Sequence, residues 1–178
     1  NVSTIGGDLI TTDPLSILYC ALLVLQAQVR IVGGEEWALA MNIFLNKKGI
    51  EGGLLIEVLI PTVNDQTFAA MATISVNQYA APLIAVCARL SLNKSLCQNV
   101  KLAITGTAKV PQRLHMAEDL LEGKKLTKAN IEMIADSVYE KYKPISDPLA
   151  SEEYRKEVSR LVVKKALTKC LEHSEEAL

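Results

Sequence analysis

FAAMATIS (residues 68–75), APLIAVCARLSL (81–92) and VKLAITGTA (100–108) are three β-rich runs, and Asn93, Lys94 and Ser95 supply a turn between the second and third. An antiparallel meander is the economical arrangement for them. Three helical stretches follow. Pro111 stands near a helix start leading to Leu121, and Gly123 is placed to end that helix. Thr127 can cap a second helix running to about Tyr142, with Ile131, Ile134, Ala135, Val138 and Tyr142 on one face, and Pro144 stops it. Ser151 can cap a third, whose apolar stripe is Tyr154, Val158, Leu161, Val162, Ala166 and Leu167. Lys156, Arg160, Lys164 and Lys165 then form a solvated face. Strands followed by helices is α+β order.

Upstream, residues 62–66 are short and polar, which divides the chain into 1–62 and 63–178. The strongly apolar run 54–60 reads as a strand ended by Pro61, and Gly49, Gly52 and Gly53 break the chain before it. One helical turn fits 42–45, and 28–32 with 35–40 read as short strands joined across Gly33 and Gly34. Asp13 offers an N-cap and Pro14 a first helical residue for the apolar run Ile17, Leu18, Cys20, Ala21, Leu22 and Leu25. Before it, Ser3, Thr4, Ile5, Gly6, Gly7, Asp8 and Leu9 read as a loop able to cradle a phosphate. Paired glycines admit φ > 0 and let an anion reach the amides without a Cβ in the way. A plain chain reversal is the commoner use of such a pair.

With 178 residues, 49% of them apolar, the chain can bury one substantial core or two small ones sharing an interface. Nineteen basic residues against twenty acidic ones remove any bulk-charge argument for nucleic acid or an anionic membrane. The longest apolar stretch, 17–27, is too short to span a bilayer and no signal-like segment opens the chain, which favours a soluble, cytoplasmic protein. Cys20, Cys87, Cys97 and Cys170 lack the spacing of zinc or iron–sulfur ligands and read as buried or half-buried thiols. His115 and His173 lie far apart, so no Ser-His-Asp or metal constellation arises. The missing initial Met and the early glycine pair suggest a piece of a longer chain.

Four segments in fixed order carry a resemblance: TIGGDLITTDPLS (4–16), LLIEVLIP (54–61), AEDLLEGKKL (117–126) and ISDPLASEEYRKEV (145–158). Together they resemble the flavoprotein (medium) subunit or domain of the molybdenum hydroxylases, the group containing xanthine dehydrogenase and carbon monoxide dehydrogenase. The resemblance implies the end of a PCMH-type FAD-binding α/β lobe, whose N-terminal lobe is missing. A three-stranded antiparallel sheet packed with a three-helix bundle follows it. It implies that Thr4, Ile5, Gly6, Gly7 and Asp8 contact FAD and that Ile10 and Leu55 add apolar contacts. It further implies a subunit passing electrons from iron–sulfur clusters through FAD to an acceptor, beside a molybdopterin-binding large subunit and an iron–sulfur small subunit. No side chain here would be an acid, base, nucleophile or metal ligand.

Backbone amides from Thr4 to Asp8 suit phosphate oxygens, whereas the Asp8 carboxylate suits a ribityl hydroxyl or its own loop. The chain departs from the family pattern at Ile17, where an acidic residue is common, and at Ala70, in place of a lysine. Charged pairs are also replaced at Ile74, Ser75, Asn77 and Gln78. These losses motivate an alternative, a non-catalytic assembly module with a decayed flavin site; separately, the sheet surface left bare by the missing lobe leaves open whether the fragment is a monomer or pairs with itself. Glu118 and Gly123 read first as helix-end residues, Tyr154 and Arg155 as pins holding the last helix to the sheet, and Trp37 as core or interface.

Overall fold

The computed structural model describes residues 4–11, 13–33, 35–46, 52–77, 80–107 and 110–177; Ser3, Gly34, Gly49, Gln78, Ala108 and the side chain of Trp37 lie outside them. In chain order the elements are α1 (Ile5–Thr11), α2 (Ile17–Val24), β1 (Gln28–Gly33), β2 (Glu35–Ala40), α3 (Met41–Asn46), β3 (Leu54–Leu59), β4 (Thr67–Ile74), β5 (Ile84–Asn93), β6 (Leu96–Ile104), β7 (Gln112–Arg113), α4 (His115–Leu121), α5 (Lys128–Lys141) and α6 (Glu152–Glu176). They build two antiparallel sheets, ordered β2-β1-β3 and β4-β5-β6-β7. The class is α+β, as the order of strands and helices requires.

In the first sheet Val29 and Ile31 of β1 point into a core shared with Tyr19, Cys20, Leu22 and Leu23 of α2. Gly33 pairs with Glu35. A Cβ on Gly33 would lie 2.8 Å from the Cα of Gly53, so only glycine lets the two backbones approach this closely. The start of α2 differs from expectation. Its N-cap is Ser16, whose hydroxyl accepts from Tyr19 N, while the Asp13 carboxylate accepts from Leu15 N at 2.9 Å. Asp13 bonds two residues ahead and closes a turn with Pro14, leaving Ser16 to open the helix.

The second sheet contains the expected meander. Lys94 and Ser95 both take positive φ, 50° and 65°, in the two-residue turn between β5 and β6. The fourth strand, β7, was not anticipated: Gln112 and Arg113 pair with Ile104 and Ala103, so the helix begins at His115 rather than near Pro111. Those backbone groups are claimed by the sheet before a helix can use them. Beyond β7 the edge of β6 is covered by carboxylates. Its register shifts between Lys101 and Gln98, with Asn99 at φ 52°. Glu122 accepts from the freed amides of Asn99 at 2.8 Å and Val100 at 3.0 Å. One turn earlier, Glu118 accepts from Leu102 N at 2.8 Å and from Arg113 Nε at 2.9 Å.

The AEDLLEG segment is therefore an edge cap, more than a helix-end signal. Glu118→Ala leaves the buried Leu102 amide and the Arg113 guanidinium without their acceptor, and is expected to cost about 3 kcal/mol. Urea unfolding checks this: the midpoint should fall with little change in slope.

The caps at Thr127 and Ser151 form as expected, accepting from Asn130 N at 3.3 Å and Tyr154 N at 3.2 Å. Ile131, Ile134, Ala135, Val138 and Tyr142 are all buried. The stripe of α6 is rotated from the one expected. Tyr154 and Leu161 are 47% and 46% exposed, whereas Arg155, Ser159, Val162, Val163, Ala166, Leu167 and Cys170 are buried. That set keeps the helical period with Arg155 and Ser159 as polar members, which a purely apolar template skips. Its charged face is also partly engaged, because Arg160 pairs with Asp136 at 2.6 Å and Lys164 pairs with Glu132 on α5. All four cysteines are free and buried. The lobes share an interface: Cys87, Ala103 and Val110 belong to the core formed by α2 and the first sheet.

Candidate functional site

Residues 5–11 form a short helix rather than an open loop. The hydroxyl of Thr4 accepts from Gly7 N at 3.1 Å, and Asp8 N donates to Thr4 O at 3.0 Å. Positive φ is therefore not what the glycine pair supplies here. It supplies bareness: a Cβ at Gly6 would meet nothing within 4 Å, and one at Gly7 only the Thr4 hydroxyl, at 3.2 Å. The first amides of a helix have no acceptor within it, and those of Ile5 and Gly6 have none among the described residues. Two contacts fix the helix in place. Leu9 is fully buried in the first core, and the Tyr19 hydroxyl donates to Asp8 O at 2.9 Å. Ile5 and Ile10 are 58% and 54% exposed.

The other expected site residues lie elsewhere. Leu55 stands opposite Ile31 in the β1–β3 ladder and packs, half-buried, on the first core. Ile17 is simply the first residue of α2. Ala70 lies opposite Ala88 and packs on the second core, with Ile74 beside it. Asn77 accepts from Ala80 N at 3.0 Å in the following turn. The structure thus gathers Thr4 to Ile10 on one element and sets Leu55 on another.

A buried junction joins two of the four marked segments, and sequence reading found only part of it. At the end of β6, Gly106 takes φ 77°. Its N–H donates to Pro14 O at 3.2 Å, and its carbonyl accepts from Ile145 N at 3.1 Å. The Tyr142 hydroxyl lies 2.9 Å from Thr105 O and 3.1 Å from Gly106 O. Burial pushes the ionisation of this phenol up, so it stays a donor. Arg155, fully buried, donates from Nη1 to Leu83 O at 2.6 Å and from Nη2 to Asp147 Oδ2 at 2.5 Å. Arg155 is the pin expected of it; Tyr154, half-exposed, is not. The sequence signal for the rest was Asp147-Pro148, an Asx turn whose carboxylate also accepts from Leu149 N and Ala150 N. The junction holds the chain after α1 against the second sheet. It is positioning machinery, with no reactive group.

Among the described residues no cluster of three or more His, Cys, Asp or Glu could hold a metal ion. No described helix is long and apolar enough to cross a membrane. A family model, CO dehydrogenase flavoprotein C-terminal domain, matches residues 69–170. The chain is 27% identical over 172 residues to a glyceraldehyde dehydrogenase medium chain of Sulfolobus acidocaldarius, covering 93% of this chain and 60% of that one. The fold matches that of a carbon monoxide dehydrogenase from Hydrogenophaga pseudoflava with a TM-score of 0.89 at 20% identity, over 96% of this chain and 61% of that one. It matches quinoline 2-oxidoreductase from Pseudomonas putida 86 with a TM-score of 0.86 at 19% identity, over 97% and 61%. The chain thus spans about three fifths of the length of these relatives. Matched over more than half its length, with its edge-capping helix and α5 inside the matched span and most of its meander and of α6 with them, the chain belongs to the CO dehydrogenase flavoprotein C-terminal domain family.

Proposed function

We propose that this chain is the later part of the FAD-holding subunit of a molybdenum-hydroxylase-type dehydrogenase, with residues 1–62 completing a flavin-binding lobe and 63–178 forming the family's C-terminal domain. The observation that carries this is the first turn of α1, bare of side chains at Gly6 and Gly7 and anchored from behind by Leu9 and Tyr19. Thr4, Ile5 and Gly6 would face the pyrophosphate through backbone N–H groups, and Gly7, whose N–H is held by the Thr4 hydroxyl, would keep the approach free of a side chain. Asp8, whose carbonyl is held by Tyr19, would present its carboxylate to a ribityl hydroxyl, and Ile10 and Leu55 would add apolar contact. The chemistry that the cofactor supplies, when bound, is electron transfer between iron–sulfur clusters and an acceptor. This chain's part is to place it. A molybdopterin-binding large subunit and an iron–sulfur small subunit are the partners of this reading.

The test is a fluorescence titration with FAD of the protein expressed at the full length its gene encodes, repeated with Gly7→Val. Valine is tolerated in a helix but sets a branched side chain beside the open amides. Binding in the micromolar range or tighter is expected for the parent, weakened about 100-fold or more by the substitution. A colourless protein that still assembles with both partner subunits would favour the assembly-module reading, which rests on the uncharged residues Ile17 and Ala70.

A further inference from the structure

Arg113 stands at the meeting of three adjoining cavities, of about 330, 310 and 200 Å³; the first is lined wholly by the second lobe, and the other two lie along the seam between the lobes. The first lies between the start of α4 and the end of α5, with apolar walls from Ile104, Leu114, Met116 and Val138 and a rim carrying Lys141 and Lys143. Its neighbour shares Gln112, Arg113 and His115 with it and is lined by amide side chains, Asn42 and Asn46. No carboxylate lines any of the three among the described residues. The one carboxylate on Arg113 is Glu118, which also serves Leu102 N and lies 3.2 Å from His115 Nδ1. Lys141 and Lys143, both exposed, have no ion pair among the described residues. Positive charge is also in excess behind the seam. Burial and then the charge of Arg113 pull the Arg89 guanidinium below its ordinary value, and its buried Nε has no acceptor among the described residues. None of Thr4 to Ile10, nor Leu55, lines these cavities.

We propose that the first cavity is a binding site for a small organic anion, distinct from the flavin cradle, with the oxyanion at Arg113, His115, Lys141 and Lys143 and the carbon body against Ile104, Leu114 and Val138. The volume is at the lower end of small-ligand sites, and apolar walls with a few convergent donors are their usual make-up. A guanidinium already holding one carboxylate by Nε and Nη2 keeps Nη1 for a second acceptor. The site takes a carboxylate with an aliphatic or aromatic body in preference to bare phosphate, because the apolar chamber adds binding only when a hydrocarbon fills it.

The experiment is calorimetric titration of the protein at its gene-encoded length with hexanoate, hexan-1-ol and orthophosphate. Hexanoate should saturate one site with Kd of about 1 mM or tighter, and about tenfold tighter than either hexan-1-ol or orthophosphate. Ser137→Trp, which fills the apolar chamber from α5, should weaken hexanoate about tenfold or more. The double substitution Lys141→Gln and Lys143→Gln, confined to exposed positions and so harmless to folding, should weaken it by a similar factor. The proposal is overturned if hexanoate shows no saturable binding up to about 10 mM, or if hexan-1-ol or orthophosphate binds as tightly. It is also overturned if the double lysine variant binds hexanoate unchanged.

Discussion

Gly106→Val is expected to abolish cooperative folding of the second lobe. The backbone there has φ 77°, a conformation that costs a β-branched residue more than any other. A Cβ would fall 2.9 Å from Arg155 Nη1, 2.9 Å from the Tyr142 hydroxyl and 3.2 Å from Leu83 O. None of the three can retreat cheaply. The guanidinium is bonded to Leu83 O, the hydroxyl faces Thr105 O, and the carbonyl of Leu83 is backbone. Backbone strain and the displaced hydrogen bonds together make a loss of about 5 kcal/mol, comparable with the whole stability of a small domain. Circular dichroism during thermal unfolding should show no sharp transition, and Gly106→Ala should retain a broadened, lower one.

Arg155→Met is expected to cost about 3 to 5 kcal/mol, although methionine matches much of the arginine stem in volume. The head group is fully buried and bridges the carbonyl of Leu83, 72 positions earlier, to the Asp147 carboxylate. Without it Leu83 O loses its partner and Asp147 its countercharge. Because Gly106 and Arg155 share one junction, the losses in a double variant should be less than additive, which a double-mutant cycle with denaturant midpoints measures. Acid acts on the same pair. Burial alone would raise the Asp147 carboxyl, but the amides of Ala150 and Leu149 and the Arg155 guanidinium outweigh it and hold the group below its ordinary value. A depressed folded-state pKa gives stability that is present above the unfolded value of about 4 and lost as pH falls towards the folded one. The parent should therefore lose stability below about pH 4, and Arg155→Met should show a shallower loss.

How far the sequence disclosed this arrangement depended on whether a residue's partner was near or far. The caps at Thr127 and Ser151 and the turn at Lys94 and Ser95 were legible because each bond closes within a few residues. Apart from β7, the strands of both sheets were legible for a related reason, since alternation and turn residues are local. The edge cap was not. Glu118 looks like any helical glutamate until β6 is placed beside it with an unpaired amide at Leu102. Gly106 carries no local sign of its role, because the atoms that forbid a side chain come from Leu83, Tyr142 and Arg155. The rotated stripe of α6 followed from the same limit: a template that counts apolar residues passes over Arg155 and so misplaces the buried face.

At residues 4–8 the conformation was not legible. Gly6 and Gly7 suggested a loop with positive φ, yet Thr4 and Asp8 supply the ordinary hydrogen bonds of a helix start, and helical geometry wins. The proposed cradle needs only an anchored backbone without side chains over its amides, which either conformation supplies.

The most direct test of the account is amide hydrogen exchange of the protein at its gene-encoded length, with and without FAD. The account predicts that FAD slows exchange at Ile5, Gly6 and Gly7 by about tenfold or more while the amides of Asn99 and Leu102, far along the second sheet, keep their rates. Binding of FAD with no change at these three amides, or no binding at all, would contradict it.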